Sequence, residues 1–79
     1  MEIMGILRNL IPKRSVWCVY DSGGFYFFDE YNDYFEEYYK VLFKTRSKKK
    51  AIGVTNYMNQ ATENINLENA LKNWKRWYH

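Results

Sequence analysis

The sequence predicts a small α+β domain, and three observations indicate this fold class. Two strand-like segments flank a glycine-containing turn, apolar residues recur at helical spacing through the second half, and four Gly with one Pro leave no linker-like stretch. The 79 residues are enough for one domain, 1–79. Eight Tyr, five Phe and three Trp are more ring surface than a core of this size can bury.

The first element is predicted to be a short helix from Glu2 to Ile11. Its apolar side chains recur at helical spacing, at Ile3, Ile6, Leu7 and Leu10. Pro12 ends the helix, because a proline lacks the backbone donor and clashes with the preceding turn. We expect this helix to pack on the rest of the domain, and the alternative is an amphipathic anchor at a membrane surface.

A β-hairpin is predicted at about residues 15–28. The segments 15–20 and 25–28 (S-V-W-C-V-Y and F-Y-F-F) are rich in β-branched and aromatic side chains, and D-S-G-G between them is typical of a turn. The two glycines lack the Lys and Ser/Thr of a phosphate-binding loop. The segment therefore predicts a hairpin rather than a nucleotide site.

A helix is predicted over residues 30–45. Rings and aliphatic side chains fall on one side of a helical wheel and charged side chains on the other, and Asp29 precedes them as an N-cap. Acidic side chains fill the first turns and basic ones the last, which complements the helix dipole. The alternative is a second hairpin that turns at Asn32-Asp33 and continues into a third strand ending near Phe43.

Two more helices are predicted, at about 48–61 and 66–78. Ser47 and Asn66 are suitable N-caps, and apolar residues keep helical spacing through both segments. Gly53 weakens the first of these helices by about 1 kcal/mol relative to Ala. An alternative for the same segment is a helix-turn-helix with Gly53 opening the turn.

Charge is segregated along the chain. Residues 1–39 hold three bases and seven acids, a net charge of −4, whereas residues 40–79 hold nine bases and two acids, a net charge of +7. No Lys or Arg occurs between Ser15 and Tyr39. Such a molecule orients against a charged partner or against its own copy, so a homo-oligomer is one expectation.

Catalytic chemistry is not predicted. The lone Cys18 and the lone, terminal His79 supply neither a zinc site nor a nucleophile–base pair, so we expect no enzyme activity, metal or cofactor. Asp29, Asp33 and Glu37 recur at helical spacing, but a solvated helix face does not separate their pKa values as acid–base catalysis requires. A single cysteine is also typical of a reducing compartment.

The acidic stretch that carries most of the rings predicts a protein-binding surface. Tyrosine combines a large contact area with a polar tip, and carboxylates between the rings match a basic groove on a partner. The side chains assigned to this surface are Tyr26, Asp29, Tyr31, Asp33, Tyr34, Glu37 and Tyr38. The main functional hypothesis is therefore a protein–protein interaction module.

The alternative hypothesis is a small DNA- or RNA-binding protein. Five bases crowd into the seven residues 44–50, and a second basic group lies beside two tryptophans near the C-terminus. Cations gathered on one surface bind phosphates, and neighbouring rings stack on unpaired bases. The residues assigned to this site are Lys44, Arg46, Lys48, Lys49, Lys50, Lys72, Lys75 and Arg76.

Brevity, a single cysteine, richness in Asn, Lys and Tyr, and segregated charge together resemble the small accessory proteins of bacteriophages and mobile elements. That group includes host-takeover proteins and inhibitors of bacterial defence systems, anti-CRISPR proteins among them. The resemblance is one of composition, carries over no residue, and implies an inhibitor of a larger host protein. Because no stretch is apolar enough for a membrane span and none has the pattern of a secretory signal, we expect a cytoplasmic protein.

Overall fold

The computed structural model describes residues 15–78, which form a three-stranded sheet and three helices. The predicted helix at 2–11 lies outside the described residues. The strands are β1 (Trp17–Asp21), β2 (Tyr26–Glu30) and β3 (Lys40–Thr45). The helices are α1 (Asp33–Tyr38), α2 (Lys48–Gln60) and α3 (Leu67–Trp77). This arrangement confirms the predicted α+β class.

The sheet is antiparallel, with β1 between β2 and β3. β1 and β2 form the predicted hairpin, in which Val19 lies opposite Phe28. In the turn, the Asp21 carboxylate accepts a hydrogen bond from the Gly23 amide at 2.8 Å. Gly23 has a φ of +95°, which L side chains rarely adopt, so the turn requires a glycine at this position.

The prediction of one helix over 30–45 is wrong. Only α1 is helical, its N-cap is Asn32 rather than Asp29, and the last six residues form β3. The alternative, with a third strand in this region, describes the chain better. β3 pairs with the edge of β1 that the hairpin leaves open, and a two-stranded hairpin alone is marginally stable in water. Helical spacing carries no information about this non-local pairing.

One side of the sheet, the helical face, is covered by α2, and α3 packs against α2. Its buried cluster consists of Val19, Ala51, Val54, Tyr57, Met58 and Ala70. The register of β3 shifts beside β1, so that Phe43 pairs with Val19 and Leu42 is an extra residue. This β-bulge brings both Leu42 and Phe43 onto the cluster, where regular alternation would turn one of them away.

Gly53 allows α2 and α3 to approach each other closely. A Cβ at this position would overlap the carbonyl oxygen of Trp74, which is a backbone atom and cannot turn aside. Nearby, the Asn56 side-chain amide donates a hydrogen bond to the carbonyl oxygen of Trp77 at 2.8 Å. Gly53 lies inside α2, which is one continuous helix over Lys48–Gln60, so the helix-turn-helix alternative is wrong.

Both long helices begin at the predicted caps. The Ser47 hydroxyl accepts a hydrogen bond from the Lys50 amide at 3.1 Å, and the Asn66 side chain accepts one from the Asn69 amide at 2.9 Å. Each bond satisfies a backbone donor that the first turn of a helix leaves without an internal partner. The capping signals in the sequence thus fix where α2 and α3 start.

The side chain of Asn59 fixes the edge strand β2 on α2. Its Oδ1 accepts a hydrogen bond from the Tyr26 amide at 2.8 Å, and its Nδ2 donates to the Tyr26 carbonyl at 2.7 Å. At the other end of the strand, the Asp29 carboxylate accepts a hydrogen bond from the Glu30 amide at 2.8 Å. These bonds occupy backbone groups that an edge strand otherwise offers to another chain.

Candidate interaction surfaces

The other side of the sheet, the aromatic face, carries a cluster of rings under α1. Tyr20 is fully buried at its centre. The Tyr20 ring stacks on Phe27 with 5.0 Å between centroids and meets Phe35 edge-on at 5.6 Å. Tyr39 packs against Phe27 at 5.0 Å. Because side chains alternate along β1, Tyr20 lies here while its sequence neighbours face the helices.

The outer rings of this cluster are open to solvent. Phe25, Tyr34 and Tyr38 are 59%, 61% and 62% exposed, and Tyr31 is exposed as well. We call these four side chains the aromatic surface. The ring centroids of Tyr34 and Tyr38 lie 4.8 Å apart, and a continuous series of ring contacts through Phe35 and Phe27 joins them to Phe25.

The length and spacing of α1 explain why some of its rings are buried and others are not. The Asn32 side chain starts the helix by accepting a hydrogen bond from the Tyr34 amide at 2.7 Å. Residues four apart share one side of a helix, so Phe35 and Tyr39 face the sheet while Tyr34 and Tyr38 face outward. α1 is six residues long and packs one side on the sheet. The rings on its other side point away from the sheet and stay exposed.

A polar network fastens the start of α1 to β3. The Tyr31 hydroxyl is shared between the carboxylates of Asp33 at 2.6 Å and Glu36 at 3.1 Å. Lys44 Nζ lies 3.2 Å from Glu36 Oε1 and 4.3 Å from the centroid of the Tyr31 ring. Because a carboxylate acceptor favours the neutral phenol, Asp33 and then Glu36 raise the pKa of Tyr31 above its ordinary value.

Two polar side chains are fully buried beneath the rings, Tyr20 and Cys18. The Tyr20 hydroxyl has no hydrogen-bond partner among the described residues. Burial raises the pKa of Tyr20 to about 12, and the adjacent Cys18 thiol adds to the shift. The raised pKa matters only at alkaline pH, because a phenol with the ordinary pKa is already neutral at physiological pH.

The side chains assigned to protein binding from the sequence mostly gather beside the aromatic surface. Five of them lie on α1 or immediately before it, namely Tyr31, Asp33, Tyr34, Glu37 and Tyr38. Asp29 is exposed on the same side of the sheet, opposite Cys18. Tyr26 is half-buried against the core of the helical face, which removes it from this group.

Sequence reasoning missed two contributors to this region, Phe25 and Glu36. Phe25 has strand character, but β2 begins one residue later and leaves the ring in the turn. The two preceding glycines were the available signal, since a residue next to a turn has few neighbours to cover it. In the sequence, Glu36 is one of several acids on a polar helix face. Because its ion-pair partner Lys44 lies on β3, no local pattern indicates the pair.

The side chains assigned to nucleic-acid binding separate into two groups. Lys44 is paired with Glu36 at 3.2 Å, and Lys72 is paired with Glu68 at 3.4 Å. The remaining six form no ion pair within residues 15–78. These six, which we call the basic end, are Arg46, Lys48, Lys49, Lys50, Lys75 and Arg76.

Helix packing brings Tyr78, the residue that follows α3, beside the basic first turn of α2. Lys49 Nζ lies 5.8 Å from the centroid of the Tyr78 ring, so the end of α3 lies beside the first turn of α2. Lys48 Nζ lies 5.0 Å from the centroid of Trp17, at the start of β1. Cationic and aromatic groups are therefore interleaved at this end of the molecule.

Both candidate regions are open surfaces, and the described part of the chain encloses no pocket. None of the helices within residues 15–78 is both long and apolar enough to cross a lipid bilayer. Comparisons with protein-family models, with curated proteins and with solved structures find no match for this chain. Function is therefore inferred from the geometry and charge of the two surfaces.

Proposed function

We propose that this protein is a protein–protein interaction module that docks its aromatic surface into a basic groove of a larger partner. The observation that carries the proposal is the exposure of Phe25, Tyr34 and Tyr38 in a chain that buries Tyr20 completely. A cluster of exposed rings is typical of a contact surface. Tyrosine is also among the side chains that contribute most to binding energy at interfaces.

The aromatic surface is supported from below, which favours binding. Phe35 and Tyr39, on the inner side of α1, pack against the buried sheet rings. The Tyr31 hydroxyl and Lys44 join the start of the helix to β3 through shared carboxylates. Because these contacts hold the outer rings in place before a partner arrives, docking loses little conformational entropy.

Carboxylates around the rings define the charge of the partner. Asp29 and Glu37 are exposed and form no ion pair with other described residues. Lys44, which approaches from β3, is already paired with Glu36. A negative rim of this kind accelerates encounter with a groove lined by Lys or Arg and disfavours acidic partners.

Inhibition by occupying a partner's surface is the activity that suits such a module. A small rigid binder needs no chemistry of its own to block a groove that a larger protein uses. The compositional resemblance to accessory proteins of bacteriophages and mobile elements supports a host protein as the target. The expected partner is therefore larger than this chain and basic at the contact.

Affinity capture with matched variants tests the proposal. The immobilised protein is exposed to a lysate of bacterial host cells, alongside Tyr34→Ala/Tyr38→Ala and, separately, Glu37→Lys. We expect wild type to retain a specific protein and each variant to lose most of it, because an aromatic anchor at an interface contributes about 2 kcal/mol or more. The captured protein is then assayed for inhibition by wild type.

Ile65→Ala is the matched control, because Ile65 is 47% exposed but lies in the loop between α2 and α3, away from the aromatic surface. This variant should capture the same protein as wild type. Equal capture by all four proteins, or capture of nothing by wild type, would contradict the proposal. Circular dichroism of each variant establishes that a loss of capture is not a loss of fold.

A further inference from the structure

We propose that the basic end binds the phosphate backbone of a single-stranded nucleic acid. This inference goes beyond the proposed function, because it concerns residues of α2, α3 and the segment before them rather than the aromatic surface. A protein that docks on a partner by one surface and on nucleic acid by the other would act on complexes that contain both. The two activities are separable by mutation, since no side chain is shared between them.

The positive charge at the start of α2 is unfavourable for the helix itself. The first turn of α2 carries Lys48, Lys49 and Lys50 and contains no acid. Cations are unfavourable at this end of a helix, because the dipole places partial positive charge there. Each of these lysines places its Nζ over an aromatic ring, of Trp17, Tyr78 or Phe43, and the cation–π contacts offset part of this cost. Because none of the three lysines forms an ion pair within residues 15–78, their charge stays available to an anion.

The same arrangement is favourable for an anion. The first backbone amides of a helix have no partner within the helix and point outward from its start. Ser47 satisfies the Lys50 amide. The amides of Lys48 and Lys49 lie before it in the first turn, where a phosphate would meet them together with the lysine side chains.

Rings at the basic end favour nucleic acid over other polyanions. Tyr78 is exposed beside Lys49, and Trp17 is half-buried beside Lys48. Unpaired bases stack on exposed aromatic rings while neighbouring cations hold the phosphates. A duplex hides its base faces, so the exposed ring favours a single strand.

The distribution of exposed apolar side chains disfavours a membrane or an acidic protein at this end. The large ones among the described residues are Phe25, Tyr31, Tyr34, Tyr38, Ile65 and Tyr78. Of these, only Tyr78 is seen beside a lysine of the basic end. Insertion into a bilayer and the core of a protein interface both require several apolar groups together, whereas backbone binding requires cations.

The test is a salt titration of binding to a labelled single-stranded oligonucleotide by the full chain. Each phosphate that the protein neutralises contributes about −0.7 to the slope of log K against log salt concentration. The double variant Lys49→Gln/Lys75→Gln removes two cations of the basic end. We expect its slope to be smaller than that of wild type by about 1.4, with at least a tenfold loss of affinity at low salt.

Lys44→Gln/Lys72→Gln is the matched control, because it removes the same charge from bases that are paired with Glu36 and Glu68. Its slope and affinity should equal those of wild type. The single variant Lys48→Gln should bind more weakly while unfolding at an equal or higher denaturant concentration, since it relieves the unfavourable charge at the start of α2. Weaker binding together with a lower unfolding midpoint would assign Lys48 to the fold and overturn its role as a binding residue.

Three results would overturn the proposal. One is an unshifted oligonucleotide at low salt, where electrostatic binding is strongest. Another is an equal loss of affinity in both double variants, which would show a response to net charge alone. The third is tighter binding to the duplex, or to vesicles containing phosphatidylserine, than to the single strand. None of these results affects capture of a protein through the aromatic surface.

Discussion

The two faces of the sheet bury their side chains in different ways. The helical face is closed by two long helices, and its cluster mixes small and large side chains, with Ala51, Val54 and Ala70 fully buried. Among residues 15–78, the six residues of α1 cover the aromatic face, and only Tyr20 and Cys18 are fully buried there. Within residues 15–78, helices cover one face, while the other keeps several rings exposed.

This difference separates rings that hold the fold from rings that do not. Tyr57 and Trp77 on the helical face meet edge-on at 5.6 Å inside the packing of α2 and α3. Tyr34 and Tyr38 meet at 4.8 Å on the solvent side of α1, where their contact is mainly with each other. The number of aromatic residues alone therefore overestimates the size of the core. Whether a ring supports the fold depends on whether other elements of the structure cover it.

The largest expected effect is on the helical face, at Gly53. Replacing it with Ala should lower the free energy of unfolding by about 2–3 kcal/mol, because the added Cβ overlaps the Trp74 carbonyl and pushes α3 away. Helix propensity alone predicts the opposite, a gain of about 1 kcal/mol. Urea denaturation of the variant decides between the two signs.

Gly24→Ala is the control for that experiment, because a Cβ at Gly24 would meet nothing within 4 Å. We expect its unfolding midpoint to stay close to that of wild type. A Gly53→Ala variant as stable as Gly24→Ala would show that the helices are not closely packed, and the contrast between the two faces would lose its basis.

The buried Tyr20 of the aromatic face should make the free energy of unfolding depend on pH in the alkaline range. Burial raises the pKa of Tyr20 to about 12 from its ordinary value of 10.0. Since the folded state keeps the phenol protonated longer than the unfolded state, this stability is complete below about pH 10 and is lost as the pH rises towards 12. The free energy of unfolding of wild type should therefore fall faster than that of Tyr20→Phe, by up to about 1.4 kcal/mol per pH unit.

Denaturation of the two proteins at several pH values between 7 and 12 measures this difference. At pH 7 the Phe variant should be at least as stable as wild type, because it removes a buried hydroxyl that has no partner among the described residues. Parallel stability curves across the whole range would mean that the Tyr20 hydroxyl is hydrated, and that the aromatic face is more open than the burial of Tyr20 indicates.

The sequence predicted much of the helical face because its signals are local. The turn at Gly23 and the caps at Ser47 and Asn66 are marked by side chains that act on their own backbone, and all three are confirmed. The region 30–45 failed because its helical spacing competed with a strand that forms only by pairing with β1. The bulge at Leu42 is of the same kind, since it exists only in the paired sheet.

The surfaces were predictable in composition but not in arrangement. The acidic rings near α1 follow from the sequence, yet Tyr26 and Phe27 are neighbours that lie on opposite faces of the sheet. The basic end depends on α3 lying beside the start of α2, and no local pattern reports that contact. Ion pairs also remove Lys44 and Lys72 from it. The pair of Lys72 with Glu68 follows from their i,i+4 spacing on the predicted helix, whereas the pair of Lys44 with Glu36 joins two different elements.

The most direct test of this account is the unfolding free energy of Tyr34→Ala/Tyr38→Ala, the variant that removes the outer rings of α1. If those rings are surplus to the fold, urea denaturation should show a loss below about 1 kcal/mol, since the contact between the two rings is partly offset by the higher helix propensity of Ala. A loss of about 3 kcal/mol or more would show that Tyr34 and Tyr38 are part of the core, and that the surface proposed for partner binding is instead structural.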